Sequence, residues 1–442
     1  MFPKFLLRRK VGQALVVLGL CSSIVCIWLS QQDWDRTDRS QMRRPRRSPV
    51  KEDYVIVNNL LDEIRGGVVA QEVTEKPNLP VAPEDDLNPK EYNDPDAEGA
   101  RGAPSPVKVS KPTAAQNRTN AQRPSNERKR AGTGVVEPCP LYPTDDLIGR
   151  LAGLKECVAP EDLPRLHPYV EKGGRVRPTN CTAYERVAII IPFRNRYVHL
   201  YILLNNIIPM MQRQKVDARF FVIEQAPPTI FNRAALFNVG FIEALKLDSF
   251  DCFIFHDVDL IPLNDRNLYR CDEHPMHFAV AMDKYEYKLP YKKYVGGVVG
   301  FTKEQYLRIN GNSNLYFGWG GEDDDLFERI DNKEYEIARP YLDVGKYDMV
   351  RHKQDKGNED NCDRRRLLRT ARQRQDTEGL NTIKYKRKSV ELRSHMTWIT
   401  VQLDMAEILA TAPEETRKDM ELTHSDVKNN FCNFSRGAPI HE

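Results

Sequence analysis

Between Phe317 and Phe327 the chain reads FGWGGEDDDLF, a run of carboxylates from Glu322 to Asp325 set against a tryptophan and three glycines. A run of acids that merely faces water needs neither neighbour. Gly318, Gly320 and Gly321 open backbone conformations closed to other residues and allow close approach to a ligand, while Trp319 offers a flat face that packs against a sugar or nucleotide. The combination points to a carbohydrate subsite with an acid or base inside it. The structural alternative is that Glu322 to Asp325 cap a helix whose N-terminal dipole favours negative charge, and both can hold because consecutive helical residues point in different directions. Asp325 is the candidate for the purely structural member.

A second group lies upstream in CFIFHDVDLIP. Cys252 to Phe255 is a short apolar and aromatic run of the buried-strand type, and strand alternation would put Asp257 and Asp259 on one face. Open α/β sheets bind ligands beyond the carboxyl ends of their strands, and two carboxylates there suit a hard divalent cation bridging to phosphates. His256 has the opposite parity and is left out. Val187 to Ile191 is another such strand, broken at Pro192-Phe193-Arg194-Asn195-Arg196, and paired guanidinium groups match diphosphate oxygens bidentately. Far along the chain, His352 in MVRHK offers the commonest nitrogen ligand for a transition metal.

These blocks, IIIPFRNR, FNRAALFNVGF, FIFHDVDLIPLND, VAMDKYEYKLPYKKYVGGV, FGWGGEDDDLF and MVRHKQDKGNE, occur in one order between about Cys139 and Leu380. In that order the chain resembles the animal Golgi β-1,4-galactosyltransferases. The resemblance implies an α/β fold of the GT-A type, a Rossmann-like mixed sheet flanked by helices, and an inverting transfer from a UDP-sugar with Mn2+ as cofactor. It implies a donor site of Pro192, Phe193, Arg194, Arg196, Phe231, Arg233, Asp257, Val258, Asp259, Lys284, Tyr294, Trp319 and Glu322. Its metal ligands would be Asp259, Met349 and His352. Met349 rests on the resemblance alone, since a soft thioether poorly matches a hard cation.

The resemblance makes Asp323 the base and gives Glu322 and Asp324 to sugar hydroxyls. It puts Tyr291, Gly321, Asp323, Asp324, Arg364 and Leu368 on the acceptor side, and Arg365 stands where the family has an aromatic residue. Tyr294 would crowd an N-acetyl group on the donor, so galactose is the implied sugar and N-acetylglucosamine the implied acceptor. Donors UDP-GalNAc or UDP-glucose, acceptors xylose or glucose, and a catalytically silent sugar-binding protein are the competing readings. Residues 350–370, rich in charge and poor in apolar side chains, read as a loop able to close over bound donor.

The elements that must position these groups occupy the C-terminal two-thirds of a 442-residue chain. Residues 1–10 read as a cytoplasmic tail and 11–29 as a transmembrane anchor of near-minimal spanning length, preceded by Lys4, Arg8, Arg9 and Lys10. Positive-inside logic makes this a single-pass type II protein, and the resemblance places it in the Golgi membrane with the rest lumenal. Residues 30–137 are too polar to offset their ordering entropy and read as a disordered stem. Residues 138–385 form the catalytic domain and 386–442 its C-terminal extension with a polar tail, in which 390–403 alternates like a final edge strand. The net charge of +3 gives no general affinity for nucleic acid or other polyanions; homo-oligomer formation is left open.

Of nine cysteines, two fall in the anchor. The resemblance pairs Cys139 with Cys181 and Cys252 with Cys271; Cys157, Cys362 and Cys432 remain, so that one at least would be free. Sequons stand at Asn117, Asn180 and Asn433, as suits lumenal exposure.

Overall fold

The computed structural model describes residues 136–353 and 355–427. The expected anchor, the stem up to residue 135, Cys432 and the sequons at Asn117 and Asn433 lie outside them. Among the described residues no helix is long and apolar enough to cross a membrane.

In chain order the elements that matter here are β1 (Arg175–Val176), β2 (Arg186–Phe193), α1 (Tyr197–Arg213), β3 (Asp217–Gln225), α2 (Arg233–Leu247), β4 (Cys252–His256), β5 (Leu260–Pro262), β6 (Met276–His277), β7 (Ala281–Met282) and β8 (Val298–Thr302). They continue with α3 (Lys303–Arg308), α4 (Glu322–Asn332), β9 (Lys346–Met349), α5 (Arg364–Arg369), α6 (Ala371–Arg374), β10 (Lys386–Leu392) and β11 (Thr397–Gln402). An eight-stranded mixed sheet runs β10-β11-β3-β2-β4-β8-β6, with β1 beside β3, and a small sheet runs β5-β9-β7. The centre of the large sheet, β11, β3, β2 and β4, is parallel.

The central strands read as continuous apolar runs because both faces are covered. On β2, Val187, Ile189, Ile191 and Phe193 join the core that includes α1, while Ala188 and Ile190 join the core that includes α2. Asn232 caps α2 by accepting a hydrogen bond from the Ala235 backbone N–H at 2.9 Å, which sets Arg233 at the first turn of the helix, beside the end of the sheet.

The segment at 390–403 is not one edge strand. It holds the end of β10, which is the edge, and β11, which lies inside the sheet against β3. Trp398 on β11 is 1% exposed, stacks parallel to Tyr197 and donates to Glu224 Oε2 at 3.0 Å. The sheet therefore continues past residue 385 to Gln402. The 350–370 segment likewise contains α5, and its chain is docked: Gly357 O accepts from Phe231 N at 2.8 Å, and Glu359 O accepts from Trp319 N at 2.8 Å.

Beneath α4 sits a closed ionic quartet. Asp325 and Arg329 are fully buried, Glu378 is fully buried and Arg374 nearly so. Arg329 donates to Asp325 Oδ1 at 2.6 Å and Glu378 Oε2 at 2.9 Å; Arg374 donates to Asp325 Oδ2 at 2.6 Å and Glu378 Oε2 at 2.8 Å. Tyr316 adds its hydroxyl to Asp325 Oδ2 at 3.0 Å. Removing one partner leaves charge buried without compensation, so Asp325→Ala should cost about 3–5 kcal/mol of stability, seen in the unfolding midpoint of the purified protein. Asp324→Ala, one residue away but facing the cleft, should cost less than about 1 kcal/mol; equal losses would contradict the assignment.

Candidate active site

A cleft of about 550 Å³ opens at the carboxyl ends of β2 and β4 and the N-terminus of α4. Nearly all of the residues singled out in the sequence line it: Pro192, Arg194, Arg196, Phe231, Arg233, Asp257, Val258, Asp259, Lys284, Tyr291, Tyr294, Trp319, Gly321, Glu322, Asp323, Asp324, Met349, His352, Arg364 and Leu368. Phe193 is the exception. Its ring is fully buried, edge-on to Tyr197 and Trp398, so its side chain supports the strand end and does not face the cleft. Arg365, Tyr285, Gly296 and Asp355 also line it.

Asp257 and Asp259 do not share a strand face, because β4 ends at His256. Asp257 accepts from Arg233 Nε at 2.5 Å, and Arg233 also lies 3.6 Å from Glu322. Asp259 turns to His352, with Nε2 3.1 Å from Oδ2. His256 is fully buried and bonds Tyr269 Oη at 2.9 Å, in keeping with its exclusion. The pairing of β5 with β9 sets Met349 opposite Leu260, and Val350 N donates to Asp259 O at 2.8 Å. One antiparallel ladder thus gathers a carboxylate, a thioether and an imidazole distant in sequence. No group of three His, Cys, Asp or Glu occurs as a metal site among the described residues; the oxygen and nitrogen of Asp259 and His352 nevertheless fit a divalent cation, and burial notwithstanding, the His352 contact holds the Asp259 carboxyl below its usual range.

The arginines expected at a diphosphate are engaged by protein oxygens here. Arg194 donates to Thr229 O at 2.8 Å and Gly357 O at 2.6 Å, and Arg196 pairs with Asp355 and reaches His352 Nδ1 at 2.7 Å. Both therefore tie the 350–370 segment to the end of β2. Lys284 lies over the Tyr285 ring at 4.8 Å with no carboxylate partner among the described residues and remains available on that side.

The glycines of FGWGGEDDDLF take left-handed backbone angles, with φ of +90° at Gly318, +102° at Gly320 and +91° at Gly321, and Gly321 is the N-cap of α4. Glu322 to Asp325 form the first helical turn, so their side chains fan apart. Asp325 goes into the core. Asp324 accepts from Tyr291 Oη at 2.8 Å. Glu322 Oε2 is buried with no hydrogen-bond partner among the described residues, an unmet acceptor that suits a ligand hydroxyl.

Asp323 is pushed up to about 7, chiefly by burial and then by the charges of Glu322 and Asp324, with Arg233 opposing. A β-carbon at Gly296 would fall 2.7 Å from Asp323 Oδ2 and 2.5 Å from Tyr294 Oη, so the carboxylate and phenol converge where only glycine leaves room. Sequence reasoning misses Gly296, for which the GG pair is the sole signal. Of the cysteines, Cys139 is joined to Cys181 and Cys252 to Cys271, and Cys157 and Cys362 are also disulfide-bonded, so neither is the free thiol. Asn180 is exposed.

A family model for the N-terminal region of glycosyl transferase group 7 matches residues 144–272, and one for the N-terminal domain of galactosyltransferase matches residues 276–353. β-1,4-Galactosyltransferase 2 of Mus musculus is 43% identical over 306 residues, 66% of this chain and 82% of the relative. The chain belongs to the β-1,4-galactosyltransferase family. It is thus a member of a family of UDP-sugar glycosyltransferases. A second relative, the β-N-acetyl-D-glucosaminide β-1,4-N-acetylglucosaminyl-transferase of Lymnaea stagnalis, is 38% identical over 375 residues, 73% of this chain and 76% of the relative. Its name shows that this sequence neighbourhood includes more than one donor sugar. A solved structure of Drosophila β-1,4-galactosyltransferase 7, described as a mutant in complex with manganese, UDP-Gal and xylobiose, is 29% identical, covers 50% of this chain and 94% of that one, and aligns with a TM-score of 0.43.

A carboxylate raised to about 7 binds its proton more tightly folded than unfolded. Below about pH 4 the group is protonated in both states; as pH rises to 7 the folded state loses stability relative to the unfolded one. Asp323→Asn should therefore match the parent protein in Tm near pH 4 and exceed it above pH 7. The same change should lower turnover by about two to four orders of magnitude and remove an acid limb near pH 7 from kcat/KM, with UDP binding retained. Loss of UDP affinity in calorimetry would make Asp323 structural instead.

Proposed function

We propose that the chain is a β-1,4-galactosyltransferase of the GT-A type that moves galactose from UDP-galactose to the 4-hydroxyl of a terminal N-acetylglucosamine, with inversion at the anomeric carbon. The observation that carries this is the convergence of Asp323, with its raised proton affinity, and Tyr294 beside the unpartnered Glu322 oxygen in one cleft. Asp323 accepts the proton of the acceptor hydroxyl; the freed oxygen forms a bond to the anomeric carbon as the bond to the UDP oxygen breaks and UDP leaves with the electron pair. Glu322 and Asp324 orient sugar hydroxyls, and Lys284 meets the diphosphate. Asp259, His352 and Met349 would hold Mn2+, whose charge stabilises the leaving diphosphate when it is bound.

The donor choice rests on Tyr294, which is 6% exposed and wedged edge-on between Tyr285, Tyr291 and His277. So fixed, its phenol leaves little room for an acetamido group. The Lymnaea relative, named for transfer of N-acetylglucosamine, favours a second reading in which the donor carries that group. The reading extends to a Golgi type II protein with the catalytic domain lumenal, supported by the basic residues before the apolar segment at 11–29 and by disulfides, which persist in such a compartment.

Tyr294→Leu should gain transfer from UDP-GalNAc while keeping transfer from UDP-galactose, since enlarging a pocket admits the bulky donor without strongly excluding the small one. A parent protein that already uses both donors would show that Tyr294 does not select. Chelation and dialysis should abolish transfer and added Mn2+ restore it, and Asp259→Asn should lose UDP-sugar binding in calorimetry together with activity. Full transfer in metal-free buffer would sink the metal assignment.

A further inference from the structure

The arginines that line the cleft fall into two sets. Arg194, Arg196 and Arg233 are each committed to protein oxygens. Arg364 and Arg365, on α5 at the acceptor side, have neither a carboxylate nor a carbonyl partner among the described residues. Arg364 is held by packing: its guanidinium carbon lies 5.6 Å from the Trp319 ring centre, and its side chain fills the space where β-carbons on Gly320 and Gly321 would stand, with approaches of 2.9 and 3.0 Å. Arg365 is exposed at the same mouth.

Further along the same segment, Arg369 is exposed and does not line the cleft, and three other arginines are paired. Arg372 meets Glu328 and Asp331, and Arg374 meets Asp325 and Glu378. Arg366 donates to Asp419 O at 2.7 Å. Two guanidinium groups without a carboxylate partner among the described residues therefore line the same cleft as an exposed tryptophan. Lys284, which also lacks a carboxylate partner among the described residues, lies on the donor side. The run of acids that opens α4 disfavours an anion at that end of the cleft.

We propose that the acceptor carries an anionic substituent, a sulfate, phosphate or carboxylate, on or next to its terminal sugar, and that Arg364 and Arg365 bind it while the sugar ring lies against Trp319. Planar guanidinium forks match such oxyanions bidentately. The inference rests on the galactosyl-transfer reading and names its acceptor class. It makes acceptor choice partly electrostatic, so that salt weakens the preference.

The test uses the full-length protein in detergent with UDP-galactose and four acceptors: a neutral N-acetylglucosamine glycoside, its 6-O-sulfo and 6-phospho derivatives, and a glycoside joining N-acetylglucosamine to a uronic acid. At low salt at least one anionic acceptor should show kcat/KM roughly tenfold above the neutral one, the scale of one partly exposed charge-assisted contact. Whichever derivative leads identifies the oxyanion. The ratio should shrink with added NaCl, fall towards one in Arg365→Ala and recover in part in Arg365→Lys, with KM and not kcat moving. Arg365 is exposed, so these variants should keep the parent Tm; the ratio is read within each variant and does not depend on its absolute activity. Galactose transfer to the neutral acceptor with a ratio near one in the parent, or a high ratio untouched by Arg365→Ala and salt, would overturn the inference and leave the transfer reading intact. Failure to use any of the acceptors would overturn both.

Discussion

The buried quartet of Asp325, Glu378, Arg329 and Arg374 is the constraint on which the site depends. Taking four charges out of water is costly unless each is met by opposite charge and hydrogen bonds, and here the two carboxylates and two guanidinium groups close on one another with Tyr316 and Ser313 satisfying further valences. The arrangement joins three pieces of chain, the first turn of α4, its middle, and the segment after α5. Once Asp325 is fixed, the three preceding carboxylates can only fan out of the core and into the cleft. A turn that lines the cleft is thereby registered by a structural residue within it.

The cleft is charge-sorted. Arg233 takes up Asp257 and leans on Glu322, while Asp323 is left with two like-charged neighbours and little solvent, which raises its proton affinity. A group in that condition is a useful base near neutral pH and a local source of instability. The surrounding steric fit, with glycine at 296 leaving space for Asp323 and Tyr294 to converge, keeps the carboxyl and the phenol in one place. Elsewhere in the cleft, Arg194 and Arg196 bind the 350–370 segment through Gly357 and Asp355. The guanidinium groups expected at a diphosphate are thus taken up here by the protein's own oxygens.

Much of this is legible in the sequence because its signals are local. The apolar runs before Pro192 and Asp257 announce buried parallel strands, and cleft-lining residues follow their carboxyl ends. Glycines beside Trp319 announce a backbone that needs left-handed angles, and a run of acids at a helix start can be split into one inward and three outward members. Phe193 escapes this kind of reading because proximity in sequence to Arg194 says nothing about strand parity, which turns it into the core beside Trp398. The strand at 397–402 escapes it because alternation does not reveal which strand it will neighbour; parallel pairing with β3 moves it from the edge to the interior.

The sequence by itself determined the family, the types of group in the site and the local elements that present them. Tertiary structure decided which groups meet. Asp259 and His352 come together only because β9 pairs antiparallel with β5, and nothing near either residue encodes that register. Whether an arginine is a ligand or a strut was equally hidden, since Arg196, Arg365 and Arg374 are the same side chain until the fold gives one an aspartate at the cleft wall, leaves one open at the mouth and buries one between two carboxylates. Charge compensation is a property of three-dimensional neighbours, and it is the property that separates scaffold from site in this protein.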